Sequence, residues 1–301
     1  MKARVTDLTA IFFAVFGFTC WVLGDSCIKW IGQYGLPPQE IVAFMGLFMA
    51  VTLTVHAAVR RNMSNLRPRS VTRQVLRALL DMTNNICVVI ALRHLSLTIF
   101  YILVFTSPLA IAVLSAGFLG DRITARKALA LLAGFSGVII AVAPWSHAQH
   151  IDLVGLVSCL VCVACFSVNM VWSRVLTRTE PPESLAFCSG VVTALAGLAL
   201  TSLHPRPLTP TLWLALGMMG MFCAAGTFSF YVAVKHTSAS NVAQYHYTQL
   251  LTGGLISYLV WHDKPGLPML AGGGLIIGSG LWIALTARNS EAALVPDLAG
   301  R

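Results

Sequence analysis

Long apolar runs, separated by short clusters of charged, proline and turn-forming residues, cover most of this chain. Each run is about 20 residues long, the length at which an α-helix crosses the hydrocarbon core of a bilayer. The runs, which we number spans 1 to 10, lie at roughly 8–30, 41–59, 74–92, 96–118, 125–144, 152–173, 184–203, 211–234, 239–261 and 267–287. The pattern predicts an all-α membrane protein with ten transmembrane helices. We expect residues 288–301 to form a disordered cytoplasmic tail.

The composition supports a membrane protein and excludes several other classes. Apolar residues make up 57% of the 301 residues and charged residues only 10%, whereas soluble domains average roughly 45–50% and 25%. Ten spans leave too little chain for a soluble catalytic domain, so we expect no enzyme, no cofactor and no metal site. The eight cysteines all fall in apolar runs, and we interpret them as packing residues.

Basic residues are distributed unequally between the two sides that ten spans define. With the N-terminus inside, sixteen of the twenty Lys and Arg residues lie on the inner side: Lys2, Arg4, Arg60, Arg61, Arg67, Arg69, Arg73, Arg77, Arg122, Arg126, Lys127, Arg174, Arg178, Lys235, Arg288 and Arg301. The outer side has Lys29, Arg93, Arg206 and Lys264. Cytoplasmic loops are enriched in Lys and Arg, so we expect both termini to be cytoplasmic. This bias explains the net charge of +9 without a nucleic-acid partner.

The two halves of the chain resemble each other. A shift of 142 residues places Ala91–Ser96 on Ala233–Ser238, and a shift of 144 places Asp25 on Asn169. Because five spans per half is an odd number, the second half must enter the membrane from the opposite side. We therefore predict two inverted five-helix repeats, at residues 1–147 and 148–287, that alternate access to a site between them.

Each half ends in a charged turn and a glycine-rich helix, at Leu119–Arg122 before Gly134–Gly137 and at Trp261–Lys264 before Gly278–Gly280. This arrangement resembles the drug/metabolite transporter superfamily, specifically its ten-helix EamA-type members, over essentially the whole chain. The resemblance implies secondary transport of a small solute across a bacterial inner membrane. Members of the superfamily move amino acids, nucleoside-like or cofactor-like metabolites, sugars and drugs. Bacterial relatives of this length include amino-acid exporters, some of which prefer aromatic amino acids.

The chain departs from the superfamily pattern in span 2. Many relatives carry an arginine early in this span, where this chain has Phe44, Met45 and Gly46. An anion-binding role for that arginine is therefore not carried over.

Span 9 contains the densest polar segment in the predicted membrane core. Polar groups at that depth are unfavourable unless they have a partner or a function. On a helix, Tyr245, His246 and Gln249 share an arc, which Gly253 continues. We expect these three side chains to bind substrate and His246 also to exchange protons. Helix–helix hydrogen bonding is the alternative.

Span 4 is the repeat counterpart of span 9. Its Tyr101 and Ser107 are candidate substrate ligands, and Pro108 frees a backbone carbonyl near the middle of the membrane. We expect Pro108, together with Gly253 and Gly254 of span 9, to act as flexible points.

Spans 1, 3 and 6 add further candidates. Trp21, Asn84, Asn85 and Asn169 are expected to contact the substrate. Asp25 is expected to carry charge or protons, unless it pairs with Lys29 at i+4. Asp81 has the same spacing from Arg77, and there we favour a structural ion pair.

These observations favour an exporter of a small amphiphilic metabolite, most simply an amino acid. No Walker motif is present, so we expect ATP to play no part; proton exchange and facilitated diffusion both stay open. The partners are then a small solute, the lipid bilayer and, in the coupled case, protons. Small-residue spacings at Ala130/Gly134 and Gly274/Gly278 allow a monomer or a weak homodimer.

Two other interpretations stay open, and a third does not. The first is transport of another small solute, such as a drug, nucleoside or cofactor-like metabolite, and the second is a non-transporting membrane sensor or adaptor. The third, an intramembrane aspartyl protease, is disfavoured. Its candidate carboxylates, Asp25 and Asp121, are predicted to lie on opposite sides of a ~30 Å core, whereas such a pair must share a proton.

Overall fold

The fold was analysed in a computed structural model of the chain. The structure describes residues 2–94, 103–120, 124–142, 152–201, 208–261 and 266–279, apart from 269 and 277. All regular structure in these ranges is helical, which confirms the predicted all-α fold. The helices are α1 (Lys2–Gly32), α2 (Pro38–Val59), α3 (Val71–His94), α4 (Ser107–Leu119), α5 (Ala125–Val142), α6 (Leu153–Leu176), α7 (Pro182–Leu200), α8 (Pro210–His236), α9 (Ala239–Ala243) and α10 (Thr248–Trp261). Short 3₁₀ turns occupy Met63–Leu66 and Gln244–Tyr247, and residues 270–276 are also helical.

Five of the described helices are long and apolar enough to cross a membrane. They are α1 (from Leu8), α2, α6, α7 and α8, while α4 and α5 contain shorter apolar segments. α3 has 24 residues, but polar residues such as Arg77 and Asp81 lower its hydropathy. Tyr101, Asp121 and the predicted tail at 288–301 lie outside the described residues.

The helix starts follow from local sequence and repeat between the halves. α2 and α7 each begin with a Pro-Pro pair, and Pro37 and Pro181 have nearly equal backbone angles, φ −61° and ψ 141° against φ −64° and ψ 142°. Proline suits the first helical turn because the N–H it lacks would have no partner there. α6 begins instead at Asp152, whose carboxylate accepts from the backbone N–H of Val154 at 2.7 Å.

Helices of one half pack against helices of the other. α1 lies along α8, α2 along α7 and α3 along α6. Spans 1, 2 and 3 correspond to spans 6, 7 and 8, so the α1–α8 pair is equivalent to the α6–α3 pair, while α2 and α7 are equivalent to each other. This is the arrangement that an inverted repeat with a pseudo-two-fold axis produces.

α2 and α7 touch through their backbones. A Cβ added at Gly46 would lie 2.3 Å from the backbone nitrogen of Ala194, and one at Gly197 would lie 2.4 Å from that of Ala43. Small residues permit such close approach between membrane helices. The same geometry explains the departure noted in span 2, because no side chain fits at Gly46.

Span 9 is not the single α-helix that its hydropathy predicts. The 3₁₀ turn at Gln244–Tyr247 separates α9 from α10. Contacts with α5 fix this turn: a Cβ at Gly134 would lie 2.7 Å from the Tyr247 ring, which therefore occupies the space that glycine leaves. The Tyr247 hydroxyl also donates to the carbonyl of Leu131 at 3.4 Å. Gly134 therefore packs against another part of the same chain.

Span 4 is interrupted at the equivalent depth. A turn at residues 105–106 precedes α4, and Pro108 lies in the first turn of that helix. The 142-residue shift places 244–247 on 102–105, so the end of one interruption falls on the start of the other, at residue 105. Interrupted membrane helices at matching positions of two inverted halves mark a binding site in transporters of this general architecture.

Candidate functional site

An aromatic cluster fills the space between the two interruptions. The His246 ring lies 5.0 Å from the Phe18 ring, 5.1 Å from Phe166 and 5.4 Å from Phe105, measured between centroids. Trp21 extends the cluster, with its ring 5.4 Å from Phe230. We call these six residues the aromatic cluster. They come from α1, α6, α8, span 4 and span 9, so both halves contribute.

Polar groups border the aromatic cluster. Ser107 Oγ lies 3.4 Å from Nδ1 of His246, and Trp21 Nε1 donates to Thr227 Oγ1 at 3.2 Å. Gln249 donates to the carbonyl of Phe18 at 3.3 Å. These bonds fix the imidazole and indole rings in orientation and leave their faces against other aromatic faces.

Two buried oxygens near the cluster have no hydrogen-bond partner in the described part of the chain. They are Ser167 Oγ, next to Phe166, and Gln244 Oε1, in the 3₁₀ turn that carries His246. Buried polar atoms are normally satisfied by protein, water or ligand. Both atoms therefore retain unused hydrogen-bonding capacity.

The structure brings some predicted site residues together and separates others. Trp21, Ser107, His246 and Gln249 meet at the aromatic cluster. Tyr245 is half-buried against the hydrophobic core. A Cβ at Gly253 would lie 3.7 Å from Val22, so this glycine faces α1, which carries two residues of the aromatic cluster. Its neighbour Gly254 is half-buried.

Of the two asparagines predicted on α3, Asn84 contacts α6, and Asn85 bonds Asn84. Asn84 donates to Asn85 Oδ1 at 3.4 Å and accepts from the Cys162 thiol at 3.1 Å. Both asparagines keep partial exposure. Asp25, one helical turn beyond Trp21 on α1, has an exposed side chain.

A second group, which we call the charged network, consists of Arg77, Asp81, Asn169, Ser189 and Tyr231. Arg77 is fully buried and pairs with Asp81 at 2.9 Å, which confirms the predicted i,i+4 pair. The pair with Asp81 uses Nη1 of Arg77, and Nη2 donates to Leu185 O and Ser189 Oγ, each at 2.8 Å. The guanidinium also bonds the Tyr231 hydroxyl and lies 4.9 Å from the centre of that ring.

Asp81 is as fully bonded as its partner. It accepts from Ser189 Oγ at 2.6 Å, from the Tyr231 hydroxyl at 3.0 Å and from the amide of Asn169. Asn169, predicted to bind substrate, is therefore only 4% exposed and bonded within the protein. Sequence analysis found the Arg77–Asp81 spacing but gave no signal for the partners on α6, α7 and α8.

The charged network lies toward the end of the bundle that carries the basic loops 60–70 and 177–181, which we call the basic face. Here Arg174 of α6 donates to the last carbonyls of α8, at Val234 and Lys235, both at 2.7 Å. Buried Glu180 accepts from the backbone N–H groups of Arg69 and Ser70 at 2.9 and 2.7 Å. These contacts join the ends of α3, α6, α7 and α8.

A cavity of about 420 Å³ opens on the basic face below this network. Its lining includes Arg69, Arg178, Glu183, Phe228, Lys235 and His236. The cavity adjoins the charged network, since its lining residue Val232 directly follows Tyr231 along α8.

The opposite face is less tightly closed. α6 packs against α8 near the basic face, but α1 and α3, their repeat equivalents, show no comparable packing in the described ranges. One polar link here joins His94 to Asp152 at 3.2 Å. The backbone N–H of Val154 and the His94 ring hold the pKa of Asp152 below its usual value. Among the described residues, the helices are therefore joined more tightly at the basic face than at the opposite face.

Comparison with known proteins agrees with this architecture. The EamA-like transporter family matches the chain twice, at residues 8–143 and 153–285. A solved crystal structure superposes with a TM-score of 0.78 at 20% identity, covering 96% of this chain and 99% of that one. At this identity the likeness is one of fold.

Three curated relatives are similar over most of their lengths. A riboflavin transporter of Brucella anthropi is 25% identical, over 85% of this chain and 91% of its own. A pseudopaline exporter of Pseudomonas aeruginosa is 25% identical, over 84% and 88%. An S-adenosylmethionine uptake transporter of Rickettsia bellii is 23% identical, over 83% and 84%.

Proposed function

This chain belongs to the EamA-like transporter family and is a multi-pass membrane transporter of a small solute rather than an enzyme, and on that premise we propose that it exports an amino acid with a large apolar or aromatic side chain. The observation that carries the proposal is the aromatic cluster between the two interrupted spans. Flat rings stack on such clusters, and each aromatic pair contributes roughly 0.5–1.5 kcal/mol beyond burial.

In alternating access, the transporter would exchange between a conformation closed at the basic face and one closed at the opposite face. We infer that the basic face is cytoplasmic, in a bacterial inner membrane, because Lys and Arg concentrate there. The present conformation is then closed toward the cytoplasm. In the alternative conformation, in which the two repeats exchange their roles, the charged network would open and α1 would pack against α3. The interruptions at 105–106 and 244–247, beside Pro108, would absorb the bending, with Gly253 and Gly254 adding freedom in α10.

The names of the relatives leave the solute open, since they specify riboflavin, pseudopaline and S-adenosylmethionine. The aromatic cluster is compatible with any solute that has a planar group. Transport of a nucleoside-like or cofactor-like solute is therefore the second candidate. Proton coupling would use His246, in the aromatic cluster, or Asp25, one helical turn from Trp21 on α1.

Counterflow in proteoliposomes tests the proposal. Vesicles loaded with unlabelled phenylalanine should accumulate labelled phenylalanine, and His246→Ala should reduce the rate at least tenfold. His236→Ala, at the exposed end of α8, is the matched control and should transport normally. If riboflavin or uridine exchanged and no amino acid did, the second candidate would replace the first.

Two further outcomes complete the test. If the folded protein exchanged none of the tested solutes, the result would support a non-transporting sensor. A rate that is insensitive to an imposed pH gradient would remove proton coupling.

A further inference from the structure

We propose that Arg77 and Asp81 together select a zwitterionic solute, with the solute carboxylate bonding Arg77 and the solute ammonium bonding Asp81 when the basic face opens. The inference rests on the proposed transport function and names the residues that would recognise the head group of the solute. In the present conformation the same bonds are made by α6, α7 and α8.

The ion pair belongs to one helix, whereas its remaining partners belong to others. Arg77 and Asp81 are one turn apart on α3, so they stay together in any movement of that helix. Leu185 and Ser189 lie on α7, and Tyr231 lies on α8. A passage that opens along α3 at this depth must therefore break bonds to both charges.

Opening would remove similar numbers of hydrogen bonds from Arg77 and from Asp81. Arg77 loses up to three acceptors, namely Leu185 O, Ser189 Oγ and the Tyr231 hydroxyl. Asp81 loses up to three donors, which come from Asn169, Ser189 and Tyr231. A charge that loses its partners in a low-dielectric interior is strongly unfavourable. Opening is therefore disfavoured unless something replaces both sets of bonds.

A zwitterion is the solute class that replaces both. An amine alone bonds Asp81 and leaves Arg77 unsatisfied, and a carboxylate alone does the reverse. An α-amino acid presents an ammonium group and a carboxylate on one carbon, which suits two opposite charges held 2.9 Å apart. Planar guanidinium groups bind carboxylates bidentately, and Nε of Arg77 is a further donor with no partner among the described residues.

The charged network and the aromatic cluster are close enough for one amino acid to contact both. Phe166 of the cluster and Asn169 of the network are three residues apart on α6, about 4.5 Å along the helix axis. The rings of Phe230 and Tyr231 are 5.2 Å apart. Asp81 retains 20% side-chain exposure, which leaves its carboxylate partly accessible. An aromatic side chain can therefore reach the cluster while its head group lies at the ion pair.

Competition by phenylalanine analogues tests the inference in the wild-type protein. Labelled phenylalanine counterflow is challenged with phenylalanine, with phenylalaninamide, which carries only the cation, and with N-acetylphenylalanine, which carries only the anion. We expect phenylalanine to compete at concentrations at least tenfold lower than either analogue. An analogue that competes within threefold of phenylalanine overturns the inference and leaves the transport function standing.

Asp81→Asn supplies a signature that a structural ion pair would not give. With the carboxylate removed, Arg77 remains as a lone cation, so N-acetylphenylalanine should become the best competitor of the three. A purely structural pair would lower the folded yield and keep the ranking of analogues unchanged, which contradicts the inference. Asp152→Asn is the matched control, since asparagine retains a helix cap, and should show the wild-type ranking.

The remaining outcomes separate this inference from the function on which it rests. If the variant does not fold, the wild-type competition series decides alone. Exchange of riboflavin without exchange of phenylalanine overturns zwitterion selection but keeps the transporter. Absence of exchange for every solute overturns both.

Discussion

Replacement of Gly46 by alanine tests how closely the two halves approach each other at α2 and α7. The added Cβ would lie 2.3 Å from Ala194 N, 2.6 Å from Gly190 O and 2.8 Å from Ala194 Cα. All three are backbone atoms, so no side-chain rotation relieves the contact. To restore an ordinary contact of 3.4 Å, the helices must separate locally by about 1 Å.

The magnitude follows from two opposing effects. Overpacking of a close interface destabilises by about 1–3 kcal/mol, and a clash with rigid backbone on both sides belongs at the upper end. Alanine is also the better helix former by roughly 0.8–1.0 kcal/mol. Gly217→Ala, in α8, is the matched control because a Cβ there meets nothing within 4 Å. The two variants should therefore differ by about 1–3 kcal/mol, the overpacking contribution alone.

Thermal unfolding in detergent measures the difference. We expect the midpoint of Gly46→Ala to fall below that of the wild type and the midpoint of Gly217→Ala to equal or exceed it. Equal midpoints for the two variants would refute the backbone contact between α2 and α7, and with it the explanation for the missing arginine in span 2.

Three further predictions concern other parts of the molecule. Glu180→Ala should lower the unfolding midpoint, since each hydrogen bond to a charged group contributes about 1.5–3 kcal/mol; Glu183→Ala, less buried, should have a smaller effect, and equal effects would count against a stabilising role for the bonds from Arg69 and Ser70 to Glu180. Trp21→Phe should slow counterflow of aromatic solutes about 2–10-fold, the equivalent of roughly 0.5–1.5 kcal/mol, whereas Trp213→Phe, half-exposed on α8, should not. Because the folded-state pKa of Asp152 is depressed, its stabilising effect is full above the unfolded pKa of about 3.9 and is lost as the pH falls through the folded value; Asp152→Asn should remove this acid dependence from the unfolding midpoint.

The fold could be predicted from the sequence because its determinants are local or periodic. Apolar runs of membrane-spanning length indicate the helices, and the Pro-Pro pairs indicate where α2 and α7 begin. The interruption of span 9 could not be predicted in this way. Residues 244–247 contain no proline or glycine, and the turn depends on the contact of Tyr247 with Gly134, more than a hundred residues away.

The candidate site could be predicted only in part. Polar residues such as Ser107, His246 and Gln249 stand out in apolar spans, and the structure brings them together. Phe18 and Phe166 carry no comparable signal, because a phenylalanine in a membrane span is as compatible with lipid as with a site. The i,i+4 spacing of Arg77 and Asp81 is visible in the sequence, but their partners on α7 and α8 are set by the tertiary fold.

Membrane helices that touch through glycine backbone have no flexible side chains between them along which they could slide. α2 and α7 come from opposite halves of the chain, so their contact joins one helix of each repeat into a closely packed pair. The proposed exchange of access would then be a displacement of the surrounding helices relative to this pair. In distance measurements by paired spin labels, one label on each of these two helices would provide an internal reference frame, against which the travel of α3 or α10 can be expressed directly.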